Sequence, residues 1–263
     1  MAVFLQGCSL ACPTCHNPET RGRCTSCGHC VERCPHGALS LGPEGVVHAA
    51  GACLDCGTCE EACPESGTPR AFRLSPEALV AKAEAWGPFL DGLTFTGGEC
   101  TLQPDFLLET GARLKDRLGW SWLVDTHGDV PEPVFEALAA ASDGFLFDLK
   151  ALDPIAYRVL TGRDPGRALA NLQRAAALDR LVEIRLLLVP DFTAEPVAFG
   201  EMVDFIADLP CEATVRLQAF RRHGVRGEAR TWAEPDLADL RPLVDLARRR
   251  LGEGRILVPV GLA

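Results

Sequence analysis

The chain has 263 residues, of which 47% are apolar, and this is enough for one large α/β domain with its own core. Its formal net charge of −10 argues against a nucleic-acid partner, because binding to phosphates requires a basic surface. The longest apolar stretch is far too short to cross a bilayer, and no secretory signal is recognisable at the start. We therefore expect a cytoplasmic protein with no membrane attachment.

Thirteen cysteines are the strongest compositional signal. Their number is odd and no signal peptide is seen, so a disulfide framework is disfavoured, since cytosolic thiols stay reduced. Eleven of the thirteen fall into three regularly spaced groups, and only Cys100 and Cys211 are left over. Metal ligation explains this pattern better than disulfide bonding does.

The first group follows a short apolar run at residues 3–5. It consists of Cys8, Cys12 and Cys15 in a Cys-x3-Cys-x2-Cys spacing. Three thiolates on one tight loop can hold three irons of a cubane [4Fe–4S] cluster. No fourth cysteine follows at ligand spacing, so one iron is left open for another molecule. Three protein ligands and one vacant position are typical of a catalytic metal centre, whereas a structural site is closed.

Residues 23–72 form an insertion in which one cysteine run occurs twice. Both copies have the Cys-x2-Cys-x2-Cys-x3-Cys-Pro spacing of bacterial ferredoxins, which predicts two further [4Fe–4S] clusters. Two zinc sites are the alternative, but zinc usually takes two well-separated cysteine pairs. In the ferredoxin arrangement the fourth cysteine of each run ligates the other cluster. The predicted ligand sets are Cys24, Cys27 and Cys30 with Cys63, and Cys53, Cys56 and Cys59 with Cys34. The insertion's histidines, His29, His36 and His48, are expected at the surface.

After the insertion, helical and strand patterns alternate, which predicts βαβ units and a parallel sheet. Ser75 followed by Pro76 indicates a capped helix start. Six or seven units would build a partial (β/α)6 TIM-type barrel from residues 1–22 and 73–263, and an open doubly wound sheet is the alternative. The barrel is favoured because polar residues follow the strand ends. The predicted helices are 75–86, 104–118, 133–141, 154–161, 167–178, 196–207 and 235–251, and the predicted strands are 93–96, 120–125, 145–150, 182–189, 213–220 and 256–259.

Two of these strand ends carry groups suited to a ligand with a cationic amine. Gly97 and Gly98 allow close backbone approach, and Glu99 supplies an acceptor. Asp125 ends the next strand, where it either lines the same mouth or caps the following helix.

The later strands add charged residues. Asp148 and Lys150 alternate on one strand and so project the same way, although an ordinary surface ion pair has the same pattern. Arg185 lies in an apolar strand, where an unpaired charge is costly, so it either faces the barrel interior or pairs with Glu183. His223 follows another strand and is either a ligand contact or a loop residue without function.

The cysteine loop, with its Cys-His-Asn-Pro-Glu continuation, resembles the radical S-adenosylmethionine (SAM) enzymes, and among them the activating enzymes of glycyl radical enzymes. The resemblance covers nearly the whole chain and is strongest to the YjjW-type glycine radical enzyme activases. Those share the doubled ferredoxin run, the Arg-Leu-Leu-x-Val-Pro strand at residues 185–190 and the Phe-x-x-His-Gly-Val-x-Gly-Glu-Ala stretch at residues 220–229.

The resemblance implies an oxidoreductase. A reduced cluster would donate one electron to SAM at the open iron, and SAM would break to methionine and a 5′-deoxyadenosyl radical. That radical would take a hydrogen atom from a glycine of a partner protein, a glycyl radical enzyme. The other two clusters would relay electrons from a ferredoxin or flavodoxin, or help to dock the partner. A monomeric, oxygen-sensitive enzyme with three [4Fe–4S] clusters is expected.

The resemblance also assigns contacts with SAM. The Gly-Gly-Glu motif and Asp125 would bind the amino group, while Lys150, held by Asp148, would meet the carboxylate. The adenine would be touched by His16 and the backbone near Thr14. The resemblance also places His223 on the adenine, while Arg185, if it faces the interior, would hold SAM or the substrate backbone. The full set of expected contacts is Thr14, His16, Gly97, Gly98, Glu99, Asp125, Asp148, Leu149, Lys150, Arg185 and His223.

Two residues depart from the family pattern. His127 stands in Asp-Thr-His-Gly where relatives have Asn, and Cys100 stands where they have a small residue without a thiol. Relatives also carry an Asp-Gly-Pro-Gly stretch ahead of the first strand, and this chain opens two residues before that strand. We therefore expect the first strand to be the least secure part of the barrel.

Two other functions stay open at this point. One is a different radical SAM reaction, either activation of anaerobic ribonucleotide reductase or a small-molecule reaction. The other is a ferredoxin-like electron carrier without catalysis, which explains residues 24–64 but not the first cysteine loop or the polar residues at the strand ends.

Overall fold

The computed structural model describes residues 1–258, so Pro259 at the end of the last predicted strand lies outside it. Seven parallel strands form the main sheet, and a two-stranded antiparallel hairpin lies in the insertion. The main strands are β1 (Ala2–Leu5), β4 (Gly92–Gly97), β5 (Ser121–Thr126), β6 (Gly144–Leu149), β7 (Leu181–Leu188), β8 (Thr214–Ala219) and β9 (Ile256–Leu257), and the hairpin is β2 (Leu39–Gly42) and β3 (Gly45–His48).

Helices connect the strands of the main sheet, and their bounds lie within about two residues of the predicted ones. The last helix begins later than predicted because Asp236 caps it, its side chain accepting from the Ala238 N–H at 2.9 Å. The helices are α1 (Thr58–Glu61), α2 (Pro76–Glu84), α3 (Pro104–Leu118), α4 (Glu132–Ala141), α5 (Pro154–Thr161), α6 (Gly166–Ala177), α7 (Pro196–Ala207) and α8 (Leu237–Leu251).

The strand order of the main sheet is β1-β4-β5-β6-β7-β8-β9, with every neighbouring pair parallel. A doubly wound sheet reverses its order at a switch point, and this order never reverses. Since crossovers between parallel strands are right-handed, the helices fall on one face. The partial-barrel prediction is therefore confirmed, with β1 and β9 as the two edges among the described residues. β1 pairs with β4 over four residues despite its place near the start of the chain.

Successive side chains along each strand point to opposite faces of the sheet, so the outer face is buried and apolar while the inner face is partly accessible to solvent. The outer side chains pack against the helices, as where the Phe95 and Trp122 rings meet edge to face at 5.7 Å and Phe135 of α4 stacks on Phe145 at 4.8 Å. These four side chains are at most 1% exposed. The inner face bears the half-buried polar residues Thr96, Asp125, Asp148 and Arg185.

The insertion contains structure that the sequence patterns did not predict. The hairpin β2–β3 lies between the two cysteine runs, and the one-turn helix α1 lies within the second run. Both strands are only four residues long, and all but one of their residues are half-buried or exposed, so they show no clear alternation of buried apolar and exposed polar residues. Within residues 1–258 we find no helix that combines the length and the apolar character needed to span a membrane.

Candidate active site

Cys8, Cys12 and Cys15 lie close together on the loop that follows β1. Burial raises the pKa of Cys8 to about 12, against a hydrogen bond from the Leu10 N–H that lowers it. Repulsion from Glu99, Cys12 and Cys15 raises the pKa further. Burial likewise raises the pKa of Cys12 and Cys15. The thiols are thus protonated near neutral pH, and a metal that binds them must displace the protons.

Backbone hydrogen bonds hold this loop on two sides. The Cys8 N–H donates to the Arg21 carbonyl and the Ala11 N–H to the Thr161 carbonyl, both at 2.8 Å. The Arg163 guanidinium adds a bond from Nε to the Ser9 carbonyl at 3.1 Å. Because Thr161 ends α5, the barrel fixes the position of the cysteines before any cluster binds.

Gly97 and Gly98 pack against the backbone of β1 and of the loop's start. Gly97 has φ +121°, and a Cβ there would lie 2.3 Å from the backbone N and O of Leu5. A Cβ on Gly98 would lie 2.3 Å from the Gly7 carbonyl oxygen. The Glu99 N–H donates to that same Gly7 carbonyl at 2.7 Å. The close approach predicted for these glycines is therefore made, in this structure, to the protein's own backbone.

The Glu99 carboxylate is turned into the protein and is 1% exposed. It accepts from the Thr101 N–H at 3.2 Å, the Thr101 hydroxyl at 2.6 Å and the Thr126 hydroxyl at 2.9 Å. It also accepts from the His127 N–H at 3.1 Å. In this structure the protein's own groups occupy the carboxylate, and the predicted contact of Glu99 with a cationic amine stays a prediction.

His127 is buried, and both of its ring nitrogens have partners. Its Nδ1 accepts from the Asp129 N–H at 3.0 Å, so Nε2 carries the hydrogen in the neutral ring. Nε2 lies 3.0 Å from the Glu99 carboxylate and 3.3 Å from the Ser9 hydroxyl. This buried histidine therefore links the cysteine loop to the motifs after β4 and β5, and the Thr126 hydroxyl adds a bond between those two motifs through Glu99. Nothing in the sequence pattern indicated these long-range contacts.

Asp125 and Arg185 meet on the inner face. Arg185 donates from Nη1 to Asp125 at 2.8 Å and from Nε to Glu183 at 2.7 Å. Thr96 donates its hydroxyl to Asp125 at 2.8 Å. Burial and repulsion from Asp148 raise the pKa of Asp125 to about 6, although Arg185 and Thr96 oppose this. Both alternatives for Arg185 are therefore realised, since it faces the interior and pairs with Glu183.

Arg216 of β8, which was not predicted as a site residue, extends this network. Its Nη2 donates to the other oxygen of Glu183 at 2.8 Å. Burial alone would raise the pKa of Glu183, but the hydrogen bonds from Arg216 and Arg185 lower it on balance. Glu183 therefore stays ionised and holds both guanidinium groups on the inner face.

Asp148 and Lys150 form an ion pair of 2.8 Å at the mouth. Burial alone would lower the pKa of Lys150, but Asp148 and then Cys12 raise it on balance. The charge of Lys150 in turn lowers the pKa of Cys12 and Cys15, partly offsetting their burial. The predicted Asp-x-Lys pair thus lies beside the cysteine loop. Leu149 points the opposite way, and its side chain is 2% exposed in the core, because successive strand residues alternate.

The residues predicted at the adenine fall on two adjoining loops. His16 is exposed and its Nε2 donates to the Arg221 carbonyl at 2.9 Å. A Cβ on Gly224 would lie 3.2 Å from the His16 carbonyl oxygen. The structure therefore brings His16 close to the segment that carries the exposed His223, and Thr14 is buried within the cysteine loop.

The eight cysteines of the insertion line two cavities, four cysteines in each. Among residues 1–258, no three Cys, His, Asp or Glu side chains are arranged to hold a single metal ion. His48 is half-buried and lines the larger cavity, where its Nε2 has no hydrogen-bond partner among the described residues, so the expected surface position was wrong for it. The larger cavity, of about 360 Å³ including space open to solvent, is lined by Cys34, Cys53, Cys56 and Cys59, and the smaller, of about 280 Å³ on the same measure, by Cys24, Cys27, Cys30 and Cys63.

Cys100 is a small buried side chain below the mouth. It is fully buried, and its Sγ donates to the carbonyls of Phe95 and Asp125, both at 3.4 Å. Burial raises its pKa well above the ordinary value. The thiol therefore fills space between strand ends.

Known proteins share both the sequence pattern and the fold. A family profile described as the radical SAM superfamily matches residues 2–203. A domain of pyruvate-formate lyase-activating enzyme from Bacteroides vulgatus superposes with a TM-score of 0.56 at 21% identity, covering 65% of this chain and 99% of that one. SuiB of Streptococcus suis bound to S-adenosylmethionine superposes with a TM-score of 0.65 at 13% identity, covering 98% and 49%. The fold is that of radical SAM enzymes.

Curated relatives narrow this class. The (2S)-3-sulfopropanediol sulfolyase activating enzyme of Bilophila wadsworthia is 32% identical over 84% of this chain and 78% of its own length. Pyruvate formate-lyase 2-activating enzyme of Escherichia coli is 28% identical, over 94% and 83%. Trans-4-hydroxy-L-proline dehydratase activating enzyme of Clostridioides difficile is 31% identical, over 80% and 76%. This chain belongs to the radical SAM superfamily and, within it, to the activating enzymes of glycyl radical enzymes.

Proposed function

We propose that Cys8, Cys12 and Cys15 hold a [4Fe–4S] cluster with one open iron, at which SAM is used to activate a glycyl radical enzyme. The observation that carries this proposal is the grouping of the three thiols beside the Asp148–Lys150 pair at the barrel mouth. Three cysteine ligands suit three of the cluster's irons. When bound, the cluster supplies one electron that cleaves SAM to the radical that abstracts a glycine hydrogen.

The chain's own residues orient SAM and keep its charges paired. Lys150 is protonated and faces the cysteine loop, which suits it to hold the SAM carboxylate, while Asp148 fixes its position. Asp125 is the acceptor for the amino group, and Arg185 neutralises part of its charge. The adjoining loops of His16 and His223 supply a surface for the adenine.

We infer that the two insertion cavities hold the second and third [4Fe–4S] clusters. Each cavity gathers three cysteines of one run with the fourth cysteine of the other run, which is the ferredoxin pattern. A low-potential ferredoxin or flavodoxin is the proposed electron donor. The proposal further includes a monomer acting in the cytoplasm and specificity of the YjjW type.

The test is to form a glycyl radical on a partner protein. Anaerobically reconstituted enzyme, a chemical reductant and SAM are mixed with a panel that includes pyruvate formate-lyase, trans-4-hydroxy-L-proline dehydratase and the glycyl radical protein encoded nearest to this chain. We expect a glycyl radical signal in electron paramagnetic resonance (EPR) with one member of the panel. Formation of 5′-deoxyadenosine with no glycyl radical on any member would favour a different radical SAM reaction.

A further inference from the structure

Within residues 1–258, backbone hydrogen bonds connect the insertion to the loop of Cys8, Cys12 and Cys15, which we call the catalytic loop, and they do so beside the smaller cavity. The Cys8 N–H donates to the Arg21 carbonyl at 2.8 Å, and the next residue, Gly22, donates its N–H to the Ser66 carbonyl at 2.9 Å. The Ser66 N–H in turn donates to the Cys63 carbonyl at 3.3 Å. A continuous chain of backbone contacts thus leads from Cys8 to Cys63, a residue of the smaller cavity.

The two chain segments that meet at the Gly22–Ser66 hydrogen bond pack so closely that neither has room for a side chain at its glycine. A Cβ on Gly22 would lie 1.6 Å from the Glu65 carbonyl oxygen. A Cβ on Gly67 would lie 2.9 Å from the Arg23 carbonyl carbon and 3.0 Å from the Cys24 backbone nitrogen. We call residues 20–24 and 65–67 the clasp. Because Cys24 is part of it and Cys63 precedes it by two residues, the clasp holds the smaller cavity directly against the catalytic loop.

The larger cavity is connected to the smaller one by short turns. The Cys34 N–H donates to the Val31 carbonyl, one residue after Cys30, at 3.3 Å. All four cysteines of the larger cavity come from the middle of the insertion, between residues 34 and 59. The other polar contact from the insertion to the barrel that we identify in residues 1–258 is an exposed ion pair at 3.6 Å between Glu61 and Arg230, which reaches no part of the cysteine loop.

We propose, on the basis of the proposed function, that the clasp fixes the order of electron delivery. A cluster in the larger cavity would take one electron from a low-potential one-electron donor, a reduced ferredoxin or flavodoxin, which is thereby oxidised. A cluster in the smaller cavity would pass that electron across the clasp to the cluster held by Cys8, Cys12 and Cys15. That electron would be used to break one carbon–sulfur bond of SAM, so each SAM cleaved would take one electron from the donor.

Two cysteine variants test this order by the magnetic coupling between clusters. Cys27→Ser removes a ligand of the smaller cavity, and Cys56→Ser removes one of the larger. In the fully reduced protein, a neighbouring reduced cluster speeds the spin relaxation of the catalytic cluster's EPR signal. We expect that enhancement to be lost in Cys27→Ser and retained in Cys56→Ser. Loss in Cys56→Ser with retention in Cys27→Ser, or the same result in both variants, would overturn the proposal.

A glycine variant tests the clasp without touching a ligand. Gly22→Ala should lose the fast phase in which reduced flavodoxin reduces the catalytic cluster, because its Cβ pushes residues 65–67 away. Gly51→Ala is the matched control, since nothing lies within 4 Å of a Cβ there, and it should keep the fast phase. A fast phase in Gly22→Ala equal to that of wild type would contradict the proposal. If Gly22→Ala does not fold, the cysteine variants decide the question.

The proposed function is checked separately in the same samples. A strong chemical reductant reaches the catalytic cluster without the insertion. Absence of 5′-deoxyadenosine under that reductant would reject the proposed function, whereas its formation together with the wrong coupling pattern would reject only the order of delivery.

Discussion

At the scale of single residues, the charge state of the site depends on which groups face each other across the inner face. Asp125 illustrates this, because Asp148 and burial act against Arg185 and Thr96 and leave its pKa at about 6. The carboxylate is therefore ionised near neutral pH but protonates within an accessible range. Its role as acceptor for the SAM amine has a direct consequence for pH dependence.

We predict that SAM affinity falls as the pH drops through about 6. The cationic amine binds the ionised form of Asp125, so each pH unit below the pKa weakens binding by at most about tenfold. Titration calorimetry at several pH values measures this. Asp125→Asn should bind SAM weakly and without this pH dependence. Equal affinity of the wild type at about pH 7.5 and about pH 5 would contradict the assignment.

A second prediction concerns the buried carboxylate of Glu99. Glu99→Ala leaves the N–H groups of Thr101 and His127 without their acceptor. Each such buried group costs about 1–3 kcal/mol, so we expect a total loss of about 3 kcal/mol. Denaturant unfolding measures it, with exposed Glu201→Ala as the control, expected within about 0.5 kcal/mol of wild type. A loss below about 1 kcal/mol for Glu99→Ala would show that these contacts matter little.

At the scale of elements, local signals predicted most of the barrel. Helix α3 matches its predicted range because Pro104 opens it and Gly119, with φ +65°, ends it in the left-handed region. The hairpin of the insertion was missed because its strands are short and only one of their eight residues is buried. The partners of Glu99 were missed because Thr126 and His127 lie 27 and 28 residues further along the chain, and no sequence period links such distant positions.

The contact of β4 with β1 gives a prediction at this scale. Gly97→Ala places a Cβ 2.3 Å from the Leu5 backbone and strains a left-handed φ. We expect a loss of stability of about 3 kcal/mol or more and a displaced cysteine loop that takes up less iron. Gly87→Ala, where nothing lies within 4 Å of the Cβ, is the control. Wild-type unfolding and iron content in Gly97→Ala would contradict the close contact.

At the scale of the whole molecule, the cysteine spacing predicted the pairing of the two runs, and the two cavities gather the cysteines in the same sets. The spacing could not show which cavity adjoins the catalytic loop. That information lies in the clasp, where glycines at residues 22 and 67 meet the chain on the opposite side of the insertion. A glycine in a loop sequence gives no sign of its distant contact.

Iron content is the corresponding prediction. Reconstituted wild type should hold about 12 irons per chain, from three four-iron clusters. Cys12→Ala should lose about four of them while the insertion clusters keep their absorption. Chemical analysis of iron and sulfide measures both. A wild-type value near four would show that the insertion holds no clusters of this kind.

The most direct test of the central claim is SAM cleavage at the first cysteine loop. Anaerobic protein is reconstituted, reduced chemically and given SAM, and 5′-deoxyadenosine is quantified by chromatography. We predict its formation by the wild type and by Cys211→Ala, which changes a cysteine outside the three groups, and none by Cys12→Ala. No 5′-deoxyadenosine from the wild type, or as much from Cys12→Ala as from the wild type, would contradict the account.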